Sequence, residues 1–190
     1  MAEIHSTVHK IKIEDIPGPN YRQKYRLQCI INHTDKLTDE IKKIIIDFLN
    51  QLPEGYSLCH GDLNFDNILL SEKGPVVIDW MSATSGNPAG DVARTIVLLK
   101  HNSLPSNFPI TLRIMAKMFL SFFCDVYVKQ YIRITGMDRN EINQWELPIA
   151  AGSLFDDTPP EETKVLLRFI HNKLRKVIKQ KSRKSISQPS

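Results

Sequence analysis

Two short apolar runs, Ile68–Leu70 and Val76–Ile78, flank the turn Ser71-Glu72-Lys73-Gly74, and the chain beyond them is helical in pattern almost to its end. Short β-prone runs joined by a turn of this kind read as a hairpin. The fold class that follows is α+β and mainly helical, built around one small β-hairpin.

The helices announce themselves by caps and spacing. Ile4, Val8 and Ile11 recur at helical intervals, and the same stretch puts His5 and His9 four residues apart on one face. Two imidazoles hold a metal only with further ligands, and none is evident, so packing or surface roles are expected for both. Residues 14–37, with Pro17, Gly18 and Pro19, read as a loop. Thr38-Asp39-Glu40 opens a helix through Leu52, with a capping hydroxyl and acids in the first turn. Tyr56–Cys59 is a strand candidate. Asn87-Pro88 places a cap and a first-turn proline before a helix over 89–101. Pro109 begins another to about Ile134, Asp138-Arg139-Asn140-Glu141 has the form of a capping box, and Thr158-Pro159-Pro160-Glu161 begins the last, to about Lys179. One domain over 1–180 and a disordered basic and serine-rich tail over 181–190 are expected.

Composition excludes several classes. With 190 residues, 42% hydrophobic and 24% charged, the chain has material for a core, unlike a disordered, collagen-like or disulfide-stapled chain. Cys29, Cys59 and Cys124 match no zinc spacing. No signal peptide is read in MAEIHSTVHK, so reduced thiols and a cytoplasmic location are expected. The longest apolar stretch, Ile114–Val128, is broken by Lys117 and Asp125. It falls short of the roughly 18–20 residues of a membrane span and reads as a buried helix. Arg168–Lys184 holds eight Lys/Arg and no acids, so the basic excess is local. That helix has few aromatics and reads as a solvated face rather than a nucleic-acid binder.

The chemistry lies in Cys59-His60-Gly61-Asp62-Leu63-Asn64-Phe65-Asp66-Asn67-Ile68-Leu69-Leu70, followed by Val76-Val77-Ile78-Asp79-Trp80. An Asp, an Asn five residues on, and a second Asp leaving a strand is a phosphoryl-transfer arrangement. Asp62 would accept the proton of a hydroxyl. Asn67 and Asp79 would supply neutral and anionic oxygens to Mg²⁺, which bridges the phosphates. Asn67 enters one strand of the hairpin and Asp79 leaves its partner, so the hairpin sets their separation. His60 is expected to hold the loop through backbone hydrogen bonds, with Gly61 allowing a tight turn. Asp91 and Arg94 read either as a loop anchor or, more often for a bare pair, as a helix-start acid and a surface base. A calcium loop lacks its Gly and its terminal Glu, and Cys59 and His60, adjacent on a strand, point apart.

His60-Gly61-Asp62-Leu63-Asn64-Phe65-Asp66-Asn67-Ile68-Leu69 with Val77-Ile78-Asp79-Trp80 resembles the aminoglycoside phosphotransferase and choline kinase family, which shares the protein-kinase-like fold. Position by position, the resemblance implies a catalytic base at Asp62, magnesium ligands at Asn67 and Asp79, and loop support from Asp91 within Gly90-Asp91-Val92-Ala93. It implies ATP and Mg²⁺ as cofactors and a hydroxyl of a small polar molecule as acceptor, such as an aminoglycoside, choline, thiamine, homoserine or a sugar. Asn64-Phe65-Asp66 stands where the family usually has His-Pro-Gly, and Asp66 adds negative charge beside the metal ligands.

Only 59 residues precede His60, and neither Gly-x-Gly-x-x-Gly nor a Val-Ala-Ile-Lys-like strand occurs. The resemblance therefore covers a C-terminal lobe, with the N-terminal β-lobe absent or carried by a separate chain. Weak ATP binding and little turnover are expected of this chain alone, and a non-catalytic kinase-like binding module is the alternative. Trp145, Glu146, Asp156 and Asp157 are candidates for an acceptor pocket, although a core Trp145 and a loop at 156–157 are the simpler reading.

Overall fold

A computed structural model describes residues 1–101, 108–155 and 159–186. Helices dominate: α1 (Ala2–Val8), α2 (Gln23–His33), α3 (Asp39–Gln51), α4 (Pro88–His101), α5 (Ile110–Thr135), α6 (Arg139–Gly152) and α7 (Pro160–Ile186). Four short strands, β1 (Ser57–Cys59), β2 (Ile68–Ser71), β3 (Gly74–Val77) and β4 (Thr84–Gly86), form two separate antiparallel pairs, β1–β4 and β2–β3.

The hairpin pairs Ile68 with Val77 and Ser71 with Gly74, across the turn read from the sequence. Several local signals are realised as hydrogen bonds. The Thr38 hydroxyl accepts from Ile41 N–H, the Asn87 side chain accepts from Ala89 N–H, and Asp138 with Glu141 completes a capping box.

Four expectations are corrected. The expected loop over 14–37 contains α2. Its N-cap Arg22 makes no capping bond, and its inward face is only Lys24, Leu27 and Ile31. Docking fixes this helix rather than any local pattern: the Lys24 ammonium donates to the Leu52 carbonyl at the end of α3. Strand β4 was not foreseen either, because Thr84-Ser85-Gly86 has no apolar alternation and gains its conformation from pairing with β1. The helix α5 is not buried: Cys124, Tyr127, Val128 and Tyr131 are, while much of its remaining apolar surface faces solvent. The last helix runs through Ile186, beyond the expected end near Lys179.

The core lies between α2, α3, α4, α6 and α7, with Ile31, Ile45, Leu49, Val92, Ile142, Trp145 and Ile170 buried together. Burial of one such side chain stabilises by about 1.5–3 kcal/mol. Trp145 is the largest fully buried group. It lies so close to Gly90 of α4 that a Cβ there would come within 2.8 Å of the indole. Close packing of α4 on α6 thus depends on a glycine at the position just before Asp91.

Trp145→Ala is expected to cost about 3–5 kcal/mol of folding stability, the range for removing a buried Trp. Urea denaturation measures it, and a loss below about 1 kcal/mol would contradict this packing.

Candidate active site

The chain leaves β1, turns at Gly61, and enters β2 at Ile68. Gly61 has φ +80°, and a Cβ there would meet the Ser82 carbonyl oxygen at 2.4 Å. Glycine alone permits this turn, which sends His60 inward and leaves Asp62 partly exposed. The fully buried His60 donates from Nε2 to the Ile78 carbonyl at 2.9 Å, and its Nδ1 accepts from Asp62 N–H at 3.2 Å. One imidazole thereby ties the loop to the far end of the hairpin.

Asn67 makes the second tie. Its Nδ2 donates to the Asp62 carbonyl at 2.8 Å and to Asp62 Oδ2 at 3.1 Å. Its own carbonyl accepts from Ile78 N–H at 3.1 Å, next to Asp79. Asp79 sits at φ 58° and ψ 70°, an uncommon left-handed conformation for a non-glycine residue, and its carboxylate accepts from Met81 N–H. The fold therefore brings Asp62, Asn67 and the start of the Asp79 turn to the mouth of one hairpin. This donor set suits a hard divalent cation. The amide nitrogen of Asn67 is committed to Asp62, and among the described residues its Oδ1 accepts no hydrogen bond, so a neutral oxygen is left over at the mouth of the hairpin that Asp79 leaves.

Behind the loop lies a buried carboxylate. Asp91 Oδ2 accepts from His60 N–H at 2.6 Å and Oδ1 from Gly61 N–H at 2.7 Å. Oδ2 also accepts from His5 Nε2 at 2.9 Å and His9 Nε2 at 3.1 Å. The other ring nitrogens accept from tyrosine hydroxyls of α5, His5 from Tyr127 and His9 from Tyr131, each at 2.6 Å. Both histidines thus bear on the loop from His60 to Asn67 through Asp91. These two residues, read from sequence as packing or surface groups, have their shared partner 86 and 82 residues away, and only their helical spacing hinted at a shared role. His5, His9 and Asp91 form a metal-type cluster with ligand atoms within 4.8 Å of one another, but every ring nitrogen and both carboxylate oxygens already have hydrogen-bond partners.

Arg94, one turn beyond Asp91, is no surface base. Its Nε donates to the Gly61 carbonyl at 3.2 Å, Nη1 donates to the Ser153 hydroxyl at 2.6 Å, and Nη2 lies 3.7 Å from Asp62 Oδ1. Burial raises the Asp62 carboxyl above its ordinary value, Arg94, the Asn67 hydrogen bond and His60 oppose that rise, and Asp79 adds to it. A raised carboxyl is the direction that suits a base working near neutrality. Burial pushes the Cys59 thiol well up, so this residue has no thiolate to offer as a nucleophile.

A cavity of about 140 Å³ opens beside the loop, lined by Arg26, Gly61, Ser82, Thr84, Arg94 and Ser153 among others. The pocket candidates read from sequence lie elsewhere. Trp145 is in the core, Glu146 is buried in ion pairs with Arg139 at 3.4 Å and Lys173 at 2.6 Å, and Asp156 and Asp157 fall outside the described residues. Trp80 packs over His60 with ring centroids 4.7 Å apart, and Phe65 packs on Phe123 at 4.5 Å. Asp66 stays exposed at the loop surface.

Residues 1–118, which include the loop, the hairpin and Asp91, match the phosphotransferase enzyme family. The chain belongs to that family. Its fold is similar to that of an amicoumacin kinase solved in complex with AMP-PNP, Ca²⁺ and Ami, at 16% identity and a TM-score of 0.50. The match covers 90% of this chain and 55% of that kinase, so the chain spans about half the length of its structural relative. Among curated protein sequences, none matches. The mainly helical architecture with its small antiparallel sheets is accordingly part of a kinase-like fold. Among the described residues no helix is long and apolar enough to cross a membrane.

Burial pushes His5 down from 6.5 to about 4, with Asp91 opposing and His9 adding to the fall. Burial alone would raise Asp91, yet His5 and the hydrogen bonds from His5 and His9 hold it well below the usual carboxylate range. The unfolded chain takes up a proton on His5 near 6.5 and the folded chain only near 4. Stability is therefore full above 6.5 and declines as the pH falls toward 4, by up to about 3 kcal/mol from this group. Urea midpoints measured across that window should fall in the native chain and flatten in His5→Gln. Equal slopes in the two proteins would contradict a neutral, buried His5.

Proposed function

We propose that this chain supplies the catalytic half of an ATP-dependent phosphotransferase that phosphorylates a hydroxyl of a small polar molecule. The observation that carries the reading is the tie of Asn67 to Asp62 and, through Ile78, to the turn holding Asp79. Family membership supports it, as does the nucleotide and divalent cation in the related kinase.

Asn67 and Asp79 would hold Mg²⁺, which when bound neutralises charge on the phosphates. Asp62 orients the acceptor hydroxyl and takes its proton. Arg94 keeps the Asp62 carboxyl from rising further, while His60 and Asp91 hold the loop so that base and metal ligands keep their spacing. The acceptor enters the cavity beside Gly61, where Ser82, Thr84 and Ser153 offer hydroxyls and Arg26 a guanidinium. The choice among aminoglycoside, choline and sugar-like acceptors lies in that wall.

A phosphate-covering β-lobe, in the same polypeptide or a separate chain, completes the enzyme, because positioning and charge stabilisation dominate phosphoryl transfer. Without one positioning group, rates typically fall on the order of 10²–10³-fold. The chain alone therefore binds ATP weakly and turns over little. A cytoplasmic site of action follows from the same reading.

Manganese binding, read by electron paramagnetic resonance, tests the ligand roles without requiring turnover. Asp79→Asn and Asn67→Leu are each expected to weaken Mn²⁺ at least about tenfold. Asp62→Asn should leave Mn²⁺ affinity close to native while lowering transfer, in the completed enzyme, by about 10²–10⁴-fold. Unchanged Mn²⁺ affinity in Asp79→Asn would remove the metal site from its place, and full transfer by Asp62→Asn would remove the base.

A further inference from the structure

The helix α5 carries two apolar faces, one packed and one open, beside a polar row of Arg113, Lys117, Ser121, Asp125 and Lys129. Its buried face is Cys124, Tyr127, Val128 and Tyr131. On another face Ile114, Met115, Met118, Phe119, Phe122 and Val126 are 48–70% exposed. An apolar helix face is ordinarily packed against another element.

The exposed residues form an ordered surface. Ile114, Met118, Phe122 and Val126 recur every four residues and make one unbroken ridge, with Met115 and Phe119 in the adjoining row. No charged residue interrupts the ridge. Asp125 lies at its rim, where it pairs with Lys100 of α4 at 3.4 Å.

The area indicates what covers it. At roughly 200 Å² for a large apolar side chain, these six leave about 700 Å² open per chain. The largest patch on a typical monomer is about 300–600 Å². One partner in a standard stable interface contributes about 800 Å². The patch is thus on the scale of a protein interface and larger than a small ligand would cover. A second copy fits it, because one symmetric contact removes both exposed ridges at once.

We propose that this face of α5 is the contact between two copies of the chain, the two helices crossing antiparallel about a two-fold axis between Met118 and Phe122. Interdigitated ridges of residues four apart cross at about −50°. Ile114 then meets the partner's Val126, and Met118 meets the partner's Phe122. Phe119 and Phe65 both pack on Phe123, with centroids 6.4 and 4.5 Å away, so the contact lies one ring from the catalytic loop.

Sedimentation velocity on the 190-residue chain should give twice the 21.8 kDa of one chain. The double substitution Met118→Asp with Phe122→Asp should halve the mass while leaving the helical circular dichroism unchanged, since both side chains are exposed. Leu70→Asp, at an 88% exposed site on the hairpin, serves as control and should leave the mass doubled. A chain that stays monomeric up to its solubility limit would overturn the proposal. A dimer that survives the ridge substitutions or is dissociated by Leu70→Asp would also overturn it, as would a monomer that instead binds lipid vesicles through the ridge.

Discussion

A single buried carboxylate organises this molecule. Asp91 lies in the first turn of α4, where the helix dipole favours an anion. It accepts backbone N–H groups from His60 and Gly61 and ring N–H groups from His5 in α1 and His9 at its C-cap. Those histidines lean in turn on tyrosines of α5. The N-terminal histidines and the His60–Gly61 loop thus meet at two oxygen atoms of α4, with α5 one hydrogen bond behind them. A buried charge that loses its partners costs several kcal/mol, so the loop has one favoured position. Gly61 and Gly90 on either side allow the backbone and the neighbouring indole to come close enough for this to happen.

From that anchor the geometry of the site follows in short steps. Gly61 turns the chain, His60 bridges to Ile78, and Asn67 closes the gap between Asp62 and the turn that holds Asp79. None of the three site carboxylates and amides stands on a freely moving segment. A loop held this firmly suits the proposed phosphoryl transfer, a reaction whose barrier is lowered mainly by where charges are held. The left-handed backbone of Asp79 fits the same picture: strain at one residue is tolerated where neighbouring hydrogen bonds over-determine the conformation.

What could be read from the residues was what local chemistry specifies. The Thr38, Asn87 and Asp138 caps, the Ser71–Gly74 turn and the motif from His60 to Asp79 are short-range signals, and each element they mark is present. What escaped was set by partners distant in sequence. The helix α2 has a weak apolar face and is held by docking, including a Lys24 contact to the end of α3. The pairing of β4 with β1, the convergence of His5 and His9 on Asp91, and the reach of Arg94 to Gly61 span 25 to 86 residues. The helix α5 misled for the opposite reason. Its apolar composition signals burial, but composition does not say whether the same chain or another provides the cover.

The central claim is that Asn67 and Asp79 share a divalent cation beside Asp62. Crystals grown with Mn²⁺ and measured at the manganese absorption edge test it directly. The account predicts an anomalous peak within about 2.5 Å of Asn67 Oδ1 and an Asp79 carboxylate oxygen. A peak between His5, His9 and Asp91, or no ordered peak at the mouth of the hairpin, would contradict it.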